Sequence, residues 1–172
     1  MNITEAAQKR YSCRTYQDKA IEKDKLDKLF EVARQAPSAK NLQDWRFVAV
    51  TDKQLRTQLA QAANNQMFIE KAGLIIVACS NNRHVMRCGQ PIAPIDVAIA
   101  LEHICLEATE LGLATCWIGS FFPEKVRAVT AIPDDIEIIE LLAVGYPADP
   151  NDSRKTDRLP IGDIVCYEKW QF

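Results

Sequence analysis

Residues 9–16, KRYSCRTY, place Arg10, Ser12 and Arg14 at alternate positions. In an extended segment these side chains point the same way. Two guanidiniums and a hydroxyl then converge as an anion site, and arginine binds phosphate bidentately; taken alone, the same pattern also suits a solvated surface. In QAPSAKNLQDWRF, residues 35–47, Ser38, Asn41 and Gln43 offer a hydroxyl and two carboxamides. Each amide both donates and accepts, which matches the alternating edge of a planar heterocycle. The same residues also suit a helix end and a tight turn. In GLATCWIGSF, residues 112–121, Gly119 has no side chain, so backbone N–H groups around it can approach a ligand closely. The alternative there is a helix cap followed by a plain turn. Arg154, Lys155 and Arg158 in DSRKTDRLP form a basic stretch whose default meaning is a solvated tail.

Several other chemistries are excluded. No G-x-G-x-x-G follows a strand and no G-x-x-x-x-G-K-[ST] is present, which argues against a Rossmann dinucleotide site and a P-loop. Only two histidines occur, His84 and His103, and neither has a neighbouring partner, so a metal cluster or a Ser-His-Asp triad has little support. The six cysteines lie far apart, with no C-x-x-C pair. Most sit in apolar runs and read as reduced, buried thiols, with Cys88 in MRCGQP the most exposed. No catalytic side chain and no metal is expected; the chemistry would come from a bound cofactor.

The elements that must position these stretches can be read from periodicity. Thr4–Lys9 is a short helix capped by Asn2 or Thr4. Over Glu22–Gln35, Leu26, Leu29, Phe30 and Ala33 recur at helical spacing and form one buried stripe, and Pro37 ends the helix. WRFVAV reads as a strand, and Asp52 as the cap of KQLRTQLAQAA. AGLIIVACS is a continuous apolar run, a strand buried on both faces. Pro94–Leu111 is a helix apolar nearly all round, so in a domain this small a second subunit should supply part of its cover. Gly112 ends it; ATCWIG is a strand, PEKVRAV a short helix with Pro123 in its first turn, and IEIIELLAVGYP the last core strand. The tail lacks periodicity yet ends in apolar and aromatic residues, so it needs something to lie against. Mixed element order argues an α+β layer fold.

A chain of 172 residues is most simply one domain, 1–172. It should bury roughly 70% of its unfolded surface without a disulfide or metal staple. With 21 basic and 23 acidic side chains the net charge is −2, so no global field draws it to nucleic acid or anionic lipid. The N-terminus carries no apolar signal core and no run approaches a membrane span, which points to the cytoplasm.

The four stretches, in this order and spacing, resemble the nitroreductase family of FMN-dependent oxidoreductases. RYSCRTY is similar to the family's R-R-S-x-R-x-F opening, APSAKNLQDWRF to its A-P-S-x-x-N-x-Q-P-W-x-F segment, and LGLATCWIGSF to its L-G-L-G-T-C-W-I-G segment. LLAVGYP with the basic tail and DIVCYEKW resembles its C-terminal signature. The resemblance implies an α+β fold with a central mixed or antiparallel sheet flanked by helices, and a C-terminal tail wrapped onto the partner of a homodimer. It implies FMN at the subunit interface, NADH or NADPH as donor, and ping-pong transfer to a small acceptor such as a nitroaromatic or quinone. Arg10, Ser12 and Arg14 would hold the phosphate and ribityl oxygens, with Arg158 and Lys155 closing on the phosphate. Pro37, Ser38, Ala39, Asn41 and Gln43 would reach the partner's flavin. Asn65 and Gln66 would contact the ring, and the backbone of Ile118, Gly119 and Ser120 would face its N5 region.

Three departures stand against the family pattern. Tyr11 replaces a second arginine and would offer a phenol at the phosphate; Asp44 replaces the proline after Gln43; and residues 80–94 are short where other members carry a lid. Alternatives to the oxidoreductase reading are a flavin carrier or sensor without turnover, and a specialised branch performing reductive dehalogenation or flavin cleavage.

Overall fold

A computed structural model describes residues 1–149 and 157–172. Among the described residues, five α-helices surround a four-stranded sheet. In chain order they are α1 (Ile3–Lys9), α2 (Lys23–Arg34), β1 (Trp45–Val50), α3 (Lys53–Ala62), β2 (Leu74–Ser80), α4 (Ile92–Glu110), β3 (Ala114–Ile118), α5 (Pro123–Thr130) and β4 (Glu137–Gly145). The strand order is β1-β2-β4-β3 and every strand pair is antiparallel. One parallel bridge, Ser12 to Thr115, lays the Arg10–Arg14 segment against the free edge of β3.

Local chemistry sets the element ends. Asn2 caps α1 in a reciprocal box with Glu5, and the Asp52 carboxylate accepts the N–H of Leu55 at the start of α3. Gly112 takes φ 73° after α4, a left-handed geometry that costs glycine nothing. The start of α4 lies two residues before the expected Pro94. Proline fits there because it is the third residue of the helix, where the backbone N–H has no intrahelical partner to lose.

The sheet carries a core on each face. Ile75, Val77, Leu141 and Ile118 pack with Leu59 and Ala60 of α3 and Val126 of α5. Leu74, Ile76 and Leu142 pack with Leu29 of α2 and with Val97, Leu101 and Ile104 of α4. All seven residues of β2 are buried, which is why its sequence is apolar without alternation. On α4, by contrast, cover is one-sided: Ile99, His103 and Leu106 are only partly buried and Ile95 is exposed. The end of the chain is barer still. Ile161 is 73% exposed, Tyr167 75% and Trp170 82%. Such a run of apolar side chains in water marks a contact surface.

A buried arginine fastens the stretch between α3 and β2. Arg56 is 7% exposed, and its guanidinium donates to the carbonyls of Thr51, Glu70 and Ala72. Those bonds hold the 3-10 turn Met67–Lys71, which borders the Arg14 cleft described below.

Candidate flavin site

The outer edge of β3 forms one wall. At its start Cys13 N–H donates to the Thr115 carbonyl at 2.9 Å. Cys13 is buried and Tyr11 packs against the sheet core, which turns Arg10, Ser12 and Arg14 to the other side. The alternation expected for an extended segment is therefore present. Tyr11, which stands where the family pattern has a second arginine, is half-buried and packs against the core cluster on that face of the sheet. Arg10 Nε lies 3.5 Å from Glu102 of α4, so its charge is partly neutralised within the chain. Arg14 is exposed and opens onto a cleft of about 500 Å³ that also contains Phe68 and Lys71.

From Thr115 to Gly119 the strand direction covers about 13 Å. At the far end the turn after α3 closes on the turn after β3. Gln66 Nε2 donates to the Ser120 carbonyl at 3.0 Å, Asn64 Nδ2 to Ser120 Oγ at 3.5 Å, and Phe122 N–H to the Ala62 carbonyl at 2.9 Å. Asn64 and Asn65 hold φ 54° and 58°, left-handed geometry that asparagine tolerates better than most residues. Asn65, Gln66, Gly119 and Ser120 are thus brought together, with Ile118 buried beneath them. The donor set suits an anionic, ring-bearing ligand: guanidinium and ammonium at one end, carboxamides and bare backbone at the other.

The turn at residues 37–43 stands elsewhere. It precedes β1, on the opposite edge of the sheet from β3. In the row Val48–Val77–Leu141–Ile118 three strand spacings separate the edges, roughly 14 Å. One chain therefore does not bring Ser38, Asn41 and Gln43 to Arg14 and Gly119. The turn is nonetheless tightly built. Lys40, Asn41 and Gln43 have φ 53°, 57° and 55°, although none is glycine. Ser38 Oγ accepts the Gln43 N–H at 3.0 Å, and Gln43 Nε2 donates to the Asn41 carbonyl at 3.2 Å. Pro37 is exposed, and the Ala39 N–H donates to both carboxylate oxygens of Asp96, at 3.2 and 3.1 Å.

Asp96 is 5% exposed and is the one charged residue in the first half of α4, residues 92–101. The sequence reading passed over it; its signal was a lone acid inside an apolar run. Lys71, next to Glu70, and Glu140, in the strand that begins at Glu137, likewise carry no spacing that marks them in the sequence. Asp44, where the family pattern has proline, accepts a hydrogen bond from Asn82 Nδ2 at 2.8 Å, and Asn82 Oδ1 accepts the His84 N–H at 2.8 Å. This carboxylate thus ties the short 80–94 segment to the amide turn, beside a cleft of about 440 Å³ that also includes Lys40. Arg158 is exposed and donates to the carbonyl of Asp157 at 3.2 Å, so the described contacts do not carry it to Arg14; Lys155 lies outside the described residues.

His103 Nδ1 lies 2.8 Å from the Ile99 carbonyl, a contact within its own helix. All six cysteines are free, and burial pushes the Cys105 thiol up to about 12 and Cys79 to about 11. No group of three or more potential metal ligands occurs among the described residues.

Comparisons with known proteins fit this geometry. The nitroreductase family profile matches residues 7–82 and 65–146. An FMN reductase (NADPH) of Bacillus subtilis is 29% identical over 177 residues, covering 92% of this chain and 70% of that protein. An NADH dehydrogenase of Thermus thermophilus is 30% identical over 194 residues, covering 94% of each. A solved nitroreductase family protein from Clostridium difficile superposes with a TM-score of 0.85 at 40% identity, over 99% of this chain and 100% of that one. By sequence and by fold alike, this chain belongs to the nitroreductase family.

Proposed function

We propose that this chain is a homodimeric, single-domain, cytoplasmic oxidoreductase that binds FMN, takes electrons from NADH or NADPH and delivers them to a small acceptor such as a nitroaromatic or quinone. The observation that carries the reading is the edge of β3: a cleft lined by Arg14 and Lys71, with Glu70 beside them, at one end and, about 13 Å away, bare backbone framed by carboxamides. The named activities of the Bacillus and Thermus relatives support the nicotinamide donor. FMN, when bound, supplies the chemistry by accepting a hydride from the nicotinamide and passing it to the acceptor in ping-pong order.

The chain's own residues bind, orient and polarise. Arg14 and Ser12 would hold the phosphate and ribityl oxygens, with Arg10 lending the charge it shares with Glu102, and Arg158 and Lys155 approaching from the tail. Backbone N–H groups at Gly119 and Ser120 would stabilise negative charge on the reduced ring. Asn65 and Gln66 would read its edge. Pro37, Ser38, Ala39, Asn41 and Gln43 would come from the partner subunit, since the chain's own copy stands across the sheet. The partner would also cover the open side of α4 and receive the apolar tail, an isologous and extensive interface. Six free cysteines suit a reducing compartment, and among the described residues no helix is long and apolar enough to cross a membrane.

The experiment is an anaerobic titration of FMN-loaded protein with NADH and NADPH. Bleaching of the flavin absorbance by either nucleotide is the expected result; bleaching by dithionite alone defeats the oxidoreductase reading and leaves a flavin carrier. Arg14→Ala should weaken FMN binding by about 1.5–3 kcal/mol, the worth of a hydrogen bond to a charged group. Equilibrium fluorescence quenching reads this directly, and unchanged affinity would remove Arg14 from the phosphate site.

A further inference from the structure

Glu140 is a carboxylate that the reading above leaves unused. It stands in β4 immediately before Leu141, the residue paired with Ile118. A Cβ placed on Gly119 would meet only its two oxygens, Oε2 at 3.8 Å and Oε1 at 3.9 Å. The side chain therefore flanks the one bare position in the turn assigned to the flavin. Oε1 accepts the Leu141 N–H at 3.1 Å.

Burial raises the carboxyl above its ordinary value, and hydrogen bonding with the backbone of Leu141 and Ile118 opposes that shift. The ionisable groups on the surrounding elements are engaged elsewhere. Glu137 of β4 pairs with Arg83 at 3.3 Å, Asp96 of α4 accepts the Ala39 N–H, and Glu102 lies against Arg10. His103 contacts the Ile99 carbonyl, while Cys79 of β2 and Cys116 of β3 are thiols that burial holds protonated. Glu140 is thus a half-buried acid beside backbone donors.

We propose that Glu140 is the proton-holding group of the flavin site: it is neutral while an anionic, reduced cofactor occupies the Ile118–Ser120 backbone, and it ionises when that charge is withdrawn. The inference rests on the function proposed above. Its physical content is linkage. An anion brought beside a half-buried carboxyl raises its proton affinity, and the protonated carboxyl reciprocally favours the anion. As pH climbs through the pKa of Glu140, the carboxylate opposes the reduced form and the flavin becomes harder to reduce.

The test is a potentiometric titration of the FMN-loaded protein over a range of pH, comparing wild type with Glu140→Gln. Wild type should take up one more proton per flavin reduced than the variant, across the window in which the carboxyl titrates. Identical pH dependence in the two proteins overturns the proposal. Should Glu140→Gln fail to fold, redox-difference infrared spectroscopy on the wild type reads the same event. A protonated-carboxyl band must then appear on reduction, and its absence overturns the proposal. Protein that retains no FMN defeats both readings; protein that retains FMN and bleaches with nicotinamide, but whose pH dependence matches that of the variant, defeats the assignment of Glu140 alone.

Discussion

Arg56→Ala is expected to lower the unfolding free energy by about 3 kcal/mol or more. The native guanidinium is buried and donates to three backbone carbonyls, at Thr51, Glu70 and Ala72. Alanine leaves these acceptors without their charged donor in a region too enclosed for water to replace it freely, and each lost charged hydrogen bond is worth about 1.5–3 kcal/mol. It also opens a cavity between α3 and the approach to β2. Urea denaturation of the holoenzyme reads the loss, and Arg56→Lys should recover only part of it because an ammonium lacks the planar fork. A variant as stable as wild type would show that water serves those carbonyls equally well. The effect should reach the site, because the Met67–Lys71 turn held by Arg56 borders the Arg14 cleft.

Deleting residues 159–172 should have the second large effect, on association rather than on folding. Within one chain the apolar side chains of this segment stay in water: Leu159, Ile161, Ile164, Tyr167 and Trp170 are all exposed. Burying an aliphatic or aromatic side chain of this size contributes about 1.5–3 kcal/mol. Three such anchors at the low end weaken self-association roughly 1,000-fold when removed. Sedimentation velocity should therefore show a monomer at concentrations where the full chain forms the proposed dimer. FMN should be lost with the partner's amide turn. A truncated chain that still dimerises and stays yellow would remove the tail from the interface.

Much of this architecture was legible in the residues, and what was not shares one physical cause. The caps at Asn2 and Asp52, the unbroken apolar run of β2 and the Gly112 stop are local signals, decided by a few neighbouring residues. The helix α4 was recognisable by composition, but its start was misread because proline is excluded from helix interiors and admitted to the first turn. Asp96 could not be interpreted from the sequence. Its role depends on Ala39, a residue distant in the chain, whose N–H the fold carries to it. Glu140 is similar: an acid in a largely apolar strand says little until Gly119 is placed beside it. The amide turn and the arginines were both found, yet their separation across the sheet followed only from strand order.

The three left-handed residues of the amide turn carry a consequence for engineering. Lys40, Asn41 and Gln43 occupy geometry that glycine adopts freely and that costs other residues roughly 1 kcal/mol or more each. Exchanging Lys40 for glycine would relieve that tension and raise the melting temperature, while slackening a loop whose side chains, in the proposed dimer, would have to arrive already aimed at a neighbour's ligand. Selection for heat resistance and selection for turnover would therefore pull this codon in opposite directions.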